Sequence, residues 1–269
     1  MRSTWLGWLL GGVGLYAGLC LLVFAFQRRL LYFPERAGEP AASARAARLG
    51  LEPWRDGAGR LRGWRTPGRT RPAARLLVLH GNAGAALDRA YYPEALAPLG
   101  LEVSILEYPG YGARPGSPSE PSLVAAALDA VDALAAAGGA PVWLLGESLG
   151  SGVAARAASL RPRAVRALFL ITPFASLPEL ARHHYAFLPG FLLRDRFEPA
   201  RDLASFGGPV AILVAGRDEV VTAAQGRKLF AALGGPKRLW EQPGAQHNTL
   251  DLRPGNPMWR EVADFLARR

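Results

Sequence analysis

Three scarcities narrow the field before any motif is read. The 269-residue chain has one cysteine, Cys20, so no intramolecular disulfide can form. It has four histidines, His80, His183, His184 and His247, so chemistry that needs an imidazole has few candidates. It also lacks any run of basic residues, although Lys and Arg outnumber Asp and Glu by 32 to 22 and the net charge is +10. Almost all of these cations are Arg, set singly or in pairs. A nucleic-acid binder clusters its cations on one face or element, so this pattern argues against a nucleic-acid partner. A basic surface beside an anionic membrane accounts for the excess, and so does a general preference for Arg.

Half of the residues are hydrophobic, enough for a sizeable core, and the length suits one large α/β domain or two small ones. From Trp5 to Phe26 the chain reads "WLGWLLGGVGLYAGLCLLVFAF", 22 residues without a charge, and Arg28 and Arg29 follow. About 20 such residues span a bilayer as a helix. Trp5, Trp8, Tyr32 and Phe33 are placed to sit at the two interfaces. A cleaved signal peptide is the rival, but its apolar stretch is usually ~7–15 residues and no small-x-small site follows here. The expectation is an uncleaved single-pass anchor over residues 1–30 and a folded domain over 31–269. Arg28, Arg29 and Arg36 outnumber Arg2 plus the amino group, a slight bias toward a cytoplasmic domain by the positive-inside rule.

Beyond "QRRLLYFPERAGEPAASARAARLG", which is expected to lead into the domain, short apolar runs alternate with Ala- and Leu-rich segments. The runs predict strands near Arg62–Thr66, Arg75–Leu79, Glu102–Leu106, Val142–Leu145, Ala167–Ile171, Val210–Val214 and Arg238–Gln242. "SPSE" predicts a capping box, with Ser117 at the N-cap, Pro118 first in the helix and Glu120 third. That helix ends at Gly138–Gly139, and a last helix spans Met258 to Leu266. Strand and helix in alternation predict a mostly parallel sheet covered on both faces, with ligands at the carboxyl ends of its strands.

The residues at those ends carry the chemistry. "GESLG" puts Ser148 between a strand and a helix, with Gly146 and Gly150 two positions either side. In Gly-x-Ser-x-Gly the serine sits on a strained turn that lifts its hydroxyl above the sheet, and the N–H of the next residue, Leu149, can hold an oxyanion. A serine hydroxyl needs a base. His247, in the loop between the last strand and the last helix, is the candidate. His183 and His184 read as helix residues of an inserted segment. The imidazole needs an acid on its far nitrogen, and Asp218, just past a strand in "AGRDEVV", is preferred to Glu219 and Asp251. The second oxyanion donor is expected from the backbone N–H of Asn82 in "HGNAG", with His80 bracing that loop. The order Ser148, Asp218, His247 is that of α/β-hydrolases and of neither protease arrangement.

On these residues the chain resembles serine hydrolases of the α/β-hydrolase superfamily from about Leu61 to its end. More narrowly, the apolar N-terminus with "LLYFPER", "HGNAG", "EYPGYG", "PSE", "GESLGSG", "GRDEVV" and "QHNTL" is similar to the membrane-anchored branch that includes bud-emergence-type and depalmitoylase-like hydrolases. The resemblance implies ester or thioester hydrolysis through an acyl-enzyme, a small-molecule or lipid-like acyl substrate, and no metal or organic cofactor. Two positions depart from it: Glu147 stands where the branch often carries Arg, and Arg114 where a small hydroxyl residue is usual. Residues 172–208 are expected to form a short cap, with Phe187, Leu188, Phe191, Leu192 and Leu193 lining an acyl groove. Two alternatives remain at this point. A serine peptidase would use the same residues on an amide, though the oligopeptidase type usually carries a large further domain. A non-catalytic scaffold of the same fold normally loses one of the three residues.

Overall fold

Strands β1 (Glu52–Arg55), β2 (Leu61–Arg65), β3 (Ala74–Leu79), β4 (Leu101–Leu106), β5 (Val142–Glu147), β6 (Val165–Ile171), β7 (Val210–Ala215) and β8 (Lys237–Gln242) form one sheet. Their spatial order is β8-β7-β6-β5-β3-β4-β2-β1. β2 pairs antiparallel with β1 and β4, and every other pair is parallel. The structure is a computed structural model that describes residues 2–268, with side chains from Gly7 onward. The expected interfacial place of Trp5 and the charge of Arg2 lie outside the described side chains.

The sheet is apolar on both faces because its inner strands are nearly continuous apolar runs. Leu77 and Leu79 of β3 join one core with Leu144, Leu168 and helices α4 (Glu120–Ala136) and α5 (Leu149–Leu160). Leu76 and Val78 join the other with Trp143, Phe169 and the buried Trp259 and Val262 of the last helix, Met258–Leu266. The order reverses between β3 and β5, which lie side by side although β4 separates them in sequence. A crevice opens at the carboxyl ends of strands at such a switch point.

The start of α4 corrects one expectation. Its N-cap is Ser119, not Ser117: Ser119 Oγ accepts from Ser122 N at 3.2 Å, and Ser122 Oγ accepts from Ser119 N at 2.9 Å. Pro121 explains the shift of two residues. It falls within the first turn, where a missing N–H costs nothing. Pro118 stays in the loop. At the other end Gly138 and Gly139 adopt φ of 60° and 73°, as a glycine stop requires.

The first helix, α1 (Arg2–Leu31), contains a stretch, Gly7–Leu31, long and apolar enough to cross a membrane, with an 18-residue window of mean hydropathy 2.2 that is 6% buried. The chain after it is woven into the fold. Tyr32 is buried, and a two-residue strand, Phe33–Pro34, pairs in parallel with Ala83–Gly84 in the loop after β3. Helix α2 (Glu39–Arg48) follows, and α3 (Tyr91–Leu96) lies between β3 and β4. Between β6 and β7 an inserted segment holds α6 (Leu177–His184), an irregular stretch and the short α7 (Pro199–Asp202).

Candidate active site

β5 ends at Glu147 and α5 begins at Leu149, so one residue must turn the chain. That residue, Ser148, takes φ 51° and ψ −116°, a conformation that costs a non-glycine residue on the order of 1–3 kcal/mol. Its N–H is pinned to Ile171 O at 2.9 Å, which holds the turn against the neighbouring β6. A Cβ at Gly146 would lie 2.6 Å from Gly150 O and 2.7 Å from Ser151 Cα, and one at Gly150 would strike the Leu79 carbonyl. The two glycines therefore let helix α5 sit directly on β5 and β3.

The loop after β8 brings His247 over the same edge. Its Nε2 lies 3.1 Å from Ser148 Oγ, and its Nδ1 lies 2.7 Å from Asp218 Oδ2. The other carboxylate oxygen of Asp218 accepts from the N–H groups of Val220 at 2.8 Å and Val221 at 2.7 Å. Those two bonds fix the carboxylate, whose side chain is fully buried. The competitors do not join. Glu219 is exposed, and Asp251 pairs with Arg253 at 2.8 Å. A hydrogen-bonded path thus runs from a hydroxyl through an imidazole to a carboxylate, the arrangement that lets a serine lose its proton.

The loop after β3 passes beside the serine: a Cβ on Gly81 would lie 3.7 Å from Ser148 Cβ. Among the described residues, the backbone N–H groups of Asn82 and Leu149 donate to no protein acceptor. Leu149 is first in its helix, where such a free N–H carries the positive end of the dipole. Asn82 is held on three sides. Its carbonyl accepts from Phe33 N at 2.9 Å and Tyr111 Oη at 2.7 Å, and its side-chain Nδ2 donates to Leu31 O at 2.9 Å.

His80 lies beneath this loop, fully buried, with Nδ1 2.8 Å from Gly81 O and its ring 4.2 Å from that of Tyr108. Burial first, and then the charge of Arg89, push its pKa down to about 4, so it is neutral and serves as a brace. His184 Nε2 meets Val220 O at 2.8 Å instead of the serine.

Sequence reading missed the partners of Glu147. Arg89 Nη2 donates to Glu147 Oε1 at 3.0 Å, and Tyr91 and Tyr92 hydroxyls donate to Oε2 at 3.1 and 2.8 Å. Burial opposes ionisation of this carboxyl, but Arg89 and the hydroxyls outweigh it and hold the pKa below the usual range. The negative charge beside the serine is therefore already neutralised. Arg114, the other departure, donates to Glu107 O at 2.9 Å and braces the end of β4.

The cap differs from the expected acyl groove. Phe187 and Phe191 are 57% and 80% exposed, and Leu188, Leu192 and Leu193 are only half-buried. The irregular backbone here packs against α1 instead of folding back over the serine. A cleft of about 760 Å³ under the cap is lined by charged residues such as Glu179, Arg182, Arg196 and Lys228, and no residue of the Ser148 site reaches it. Among the described residues no group of three or more His, Cys, Asp or Glu side chains is placed to hold a metal.

Residues 74–205 match the family described as alpha/beta hydrolase fold. The chain is 39% identical over 259 residues to an uncharacterized protein of Mycobacterium tuberculosis, covering 93% of this chain and 90% of that one. It is 32% identical over 197 residues to the lysophosphatidylserine lipase ABHD12 of Mus musculus, covering 66% of this chain but 50% of the lipase, so it spans about half of that relative's length. Among solved structures, an esterase of Pyrococcus furiosus superposes with a TM-score of 0.65 at 16% identity, over 88% of this chain and 97% of the esterase. A monoacylglycerol lipase of Paleococcus ferrophilus gives 0.56 at 22% identity, over 73% and 95%. At these identities the two structures speak for the fold alone. Sequence match and strand order agree, and the chain belongs to the α/β-hydrolase family.

Proposed function

We propose that this protein is a membrane-anchored serine hydrolase that cleaves carboxylic ester or thioester bonds of lipid-like acyl substrates through an acyl-enzyme. The single observation that carries the reading is the continuous path Ser148–His247–Asp218, with both contacts of the imidazole at hydrogen-bond distance. Ser148 Oγ attacks the acyl carbonyl while His247 Nε2 takes its proton. Asp218 holds the imidazole in the tautomer that leaves Nε2 free and stabilises the cation that forms. The carbonyl oxygen, now an oxyanion, is held by the N–H groups of Asn82 and Leu149, and one such donor is typically worth about 3 kcal/mol of barrier. His247 then returns the proton to the departing alcohol or thiol. Water repeats the cycle on the acyl-serine and releases the acid.

Two features support a lipid-like substrate and an anchor at residues 1–30. Helix α1 has the length and hydropathy of a span. A relative 32% identical to this chain over 197 aligned residues is by name a lysophosphatidylserine lipase. The kinship with bud-emergence-type and depalmitoylase-like hydrolases, and thioester cleavage, are the finer part of the same proposal.

A fluorophosphonate probe tests the nucleophile: the wild type is labelled and Ser148→Ala is not. Folded wild type that resists the probe overturns the reading in favour of a non-catalytic scaffold. Esters and acyl-CoA thioesters of graded chain length then identify the leaving group. Turnover confined to peptide amides would replace the esterase reading with a peptidase.

A further inference from the structure

The cap segment does not stand clear of α1 but runs along it, joined at three heights. Arg28 Nε and Nη2 donate to Asp195 Oδ2 and Oδ1, each at 3.0 Å. The Asp195 carboxylate, 2% exposed, also accepts from Tyr32 Oη at 3.2 Å and Glu120 N at 3.1 Å. Next to Arg28, Gln27 makes a two-way bond with the cap backbone: Nε2 donates to Leu192 O at 3.0 Å, and Oε1 accepts from Arg194 N at 2.7 Å. Far up the helix, Tyr16 Oη donates to Phe187 O at 2.7 Å. Tyr16 and Arg28 are separated by about 18 Å at 1.5 Å per residue, close to the hydrocarbon depth of one leaflet.

Apart from Arg29 at the end of the helix, the polar residues of α1 from Tyr16 onward follow this pairing. At 3.6 residues per turn, Tyr16, Cys20, Phe24, Gln27, Arg28 and Leu31 fall within about one third of the circumference. Cys20, Gln27, Arg28 and Leu31 are half-buried there, whereas Leu15, Leu22 and Leu30 on the opposite side are 58–79% exposed. An apolar helix that turns its polar groups toward a protein neighbour and its leucines outward is arranged for lipid. The cap segment is arranged likewise. Tyr185, Phe187 and Phe191 are 55–80% exposed on a stretch whose backbone is bonded to that helix. Arg194 lies over the Phe24 ring, near Arg28, so the cationic ends of both elements coincide.

We propose that Tyr185–Leu193 is a second membrane-embedded element, entering the proximal leaflet beside α1 with Arg28 and Asp195 as its clasp at headgroup level. The inference rests on reading α1 as a membrane anchor. The partner is the acyl-chain region of the bilayer, because the exposed aromatics continue the lipid-facing surface of an apolar helix. Irregular backbone is tolerated at such depth where protein satisfies it. Here Phe187 O and Leu192 O take donors from α1, while Leu188, Leu192 and Leu193 N–H groups donate within local turns. The segment leaves α6 at His184, which is bonded to Val220 O in the loop that carries Asp218.

The test uses full-length protein in phosphatidylcholine vesicles whose acyl chains carry bromine. In a Cys20→Ser background, single fluorophores are attached through Leu15→Cys on α1, Phe191→Cys or Phe187→Cys on the cap, and Leu160→Cys. Leu160 ends the helix that Ser148 starts, at the opposite edge of the sheet. The expected result is strong bromine quenching and shielding from aqueous iodide at residues 15, 187 and 191, with the reverse at 160. Quenching at 15 with free iodide access at both 187 and 191 places the cap in water and overturns the proposal. Absence of quenching at 15 as well fails the anchor reading, and the cap proposal falls with it.

Discussion

The two sides of the crevice are held in different ways. Ser148, Asp218 and His247 follow β5, β7 and β8, and they are fixed locally, Ser148 by Ile171 O at the end of β6 and Asp218 by the N–H groups of Val220 and Val221 in its own loop. Asn82 follows β3 but is gripped from outside the sheet, by Leu31, Phe33 and Tyr111. The first side needs only a parallel sheet with short loops. The second needs the chain that descends from α1 to be docked. In this protein, the proposed acid–base machinery belongs to the fold, and the proposed oxyanion machinery is shared with the chain that descends from α1.

Four substitutions probe that division, in falling order of effect. Asp218→Asn strikes the sheet-borne side and should cut kcat by roughly 10⁴-fold, since the imidazole loses its tautomer. Glu219→Gln should leave kcat near the wild-type value, and the opposite ranking would reassign the acid. Next, Glu147→Gln leaves the Arg89 charge, 17% exposed, without its partner. Thermal unfolding should show a loss of about 3 kcal/mol, recovered in part when Arg89→Gln is added. If the single variant is as stable as the wild type, the Arg89–Glu147 pair contributes no net stability.

The third concerns Glu107, a buried carboxyl beneath the oxyanion side that accepts from Ala86 N at 3.0 Å and Trp64 Nε1 at 3.2 Å. Burial pushes its pKa up to about 7. The unfolded carboxyl ionises near 4.3, so between the two values the unfolded chain holds fewer protons. The stability contributed by this group is whole below about pH 4.3 and is lost as pH rises through 7. Glu107→Gln should remove about 3 kcal/mol of that decline in denaturant titrations at pH 4.5 and 7.5. An unchanged slope would mean that this carboxyl does not govern it. Smallest, Asn82→Ala removes one hydrogen bond to Leu31 O. A cost of about 1 kcal/mol corresponds to roughly a fivefold fall in kcat with KM little changed. A rise in KM alone would place the side chain on substrate binding instead of loop position.

The parts visible in the sequence are those with a local signal. Four strands, β3, β5, β6 and β7, lie where four or more apolar residues run together, and the serine turn is marked by glycines at fixed offsets. What escaped depends on distance or irregularity. β1, "EPWR", contains a proline and no alternation, and it is recognised only by pairing with β2. Arg89, Tyr91 and Tyr92 meet Glu147 across more than fifty residues of chain. The sequence places Phe187 and Phe191 in a cap and predicts a groove there, but the structure leaves them 57% and 80% exposed. Nothing in their spacing shows that α1 takes the inner side of that segment.

The hydrogen bond from Asn82 to the last carbonyl of α1 has a practical consequence. Recombinant preparations of single-span enzymes commonly begin just past the hydrophobic stretch to gain solubility. A version starting at Tyr32 would lack that acceptor, and it would strip Arg28 and Gln27 from Asp195 and Leu192, stranding an anionic side chain in the interior. Weak turnover by such a shortened preparation would report a loosened donor loop and a displaced cap. Rates taken from it would understate the intact enzyme for reasons unrelated to access to lipid.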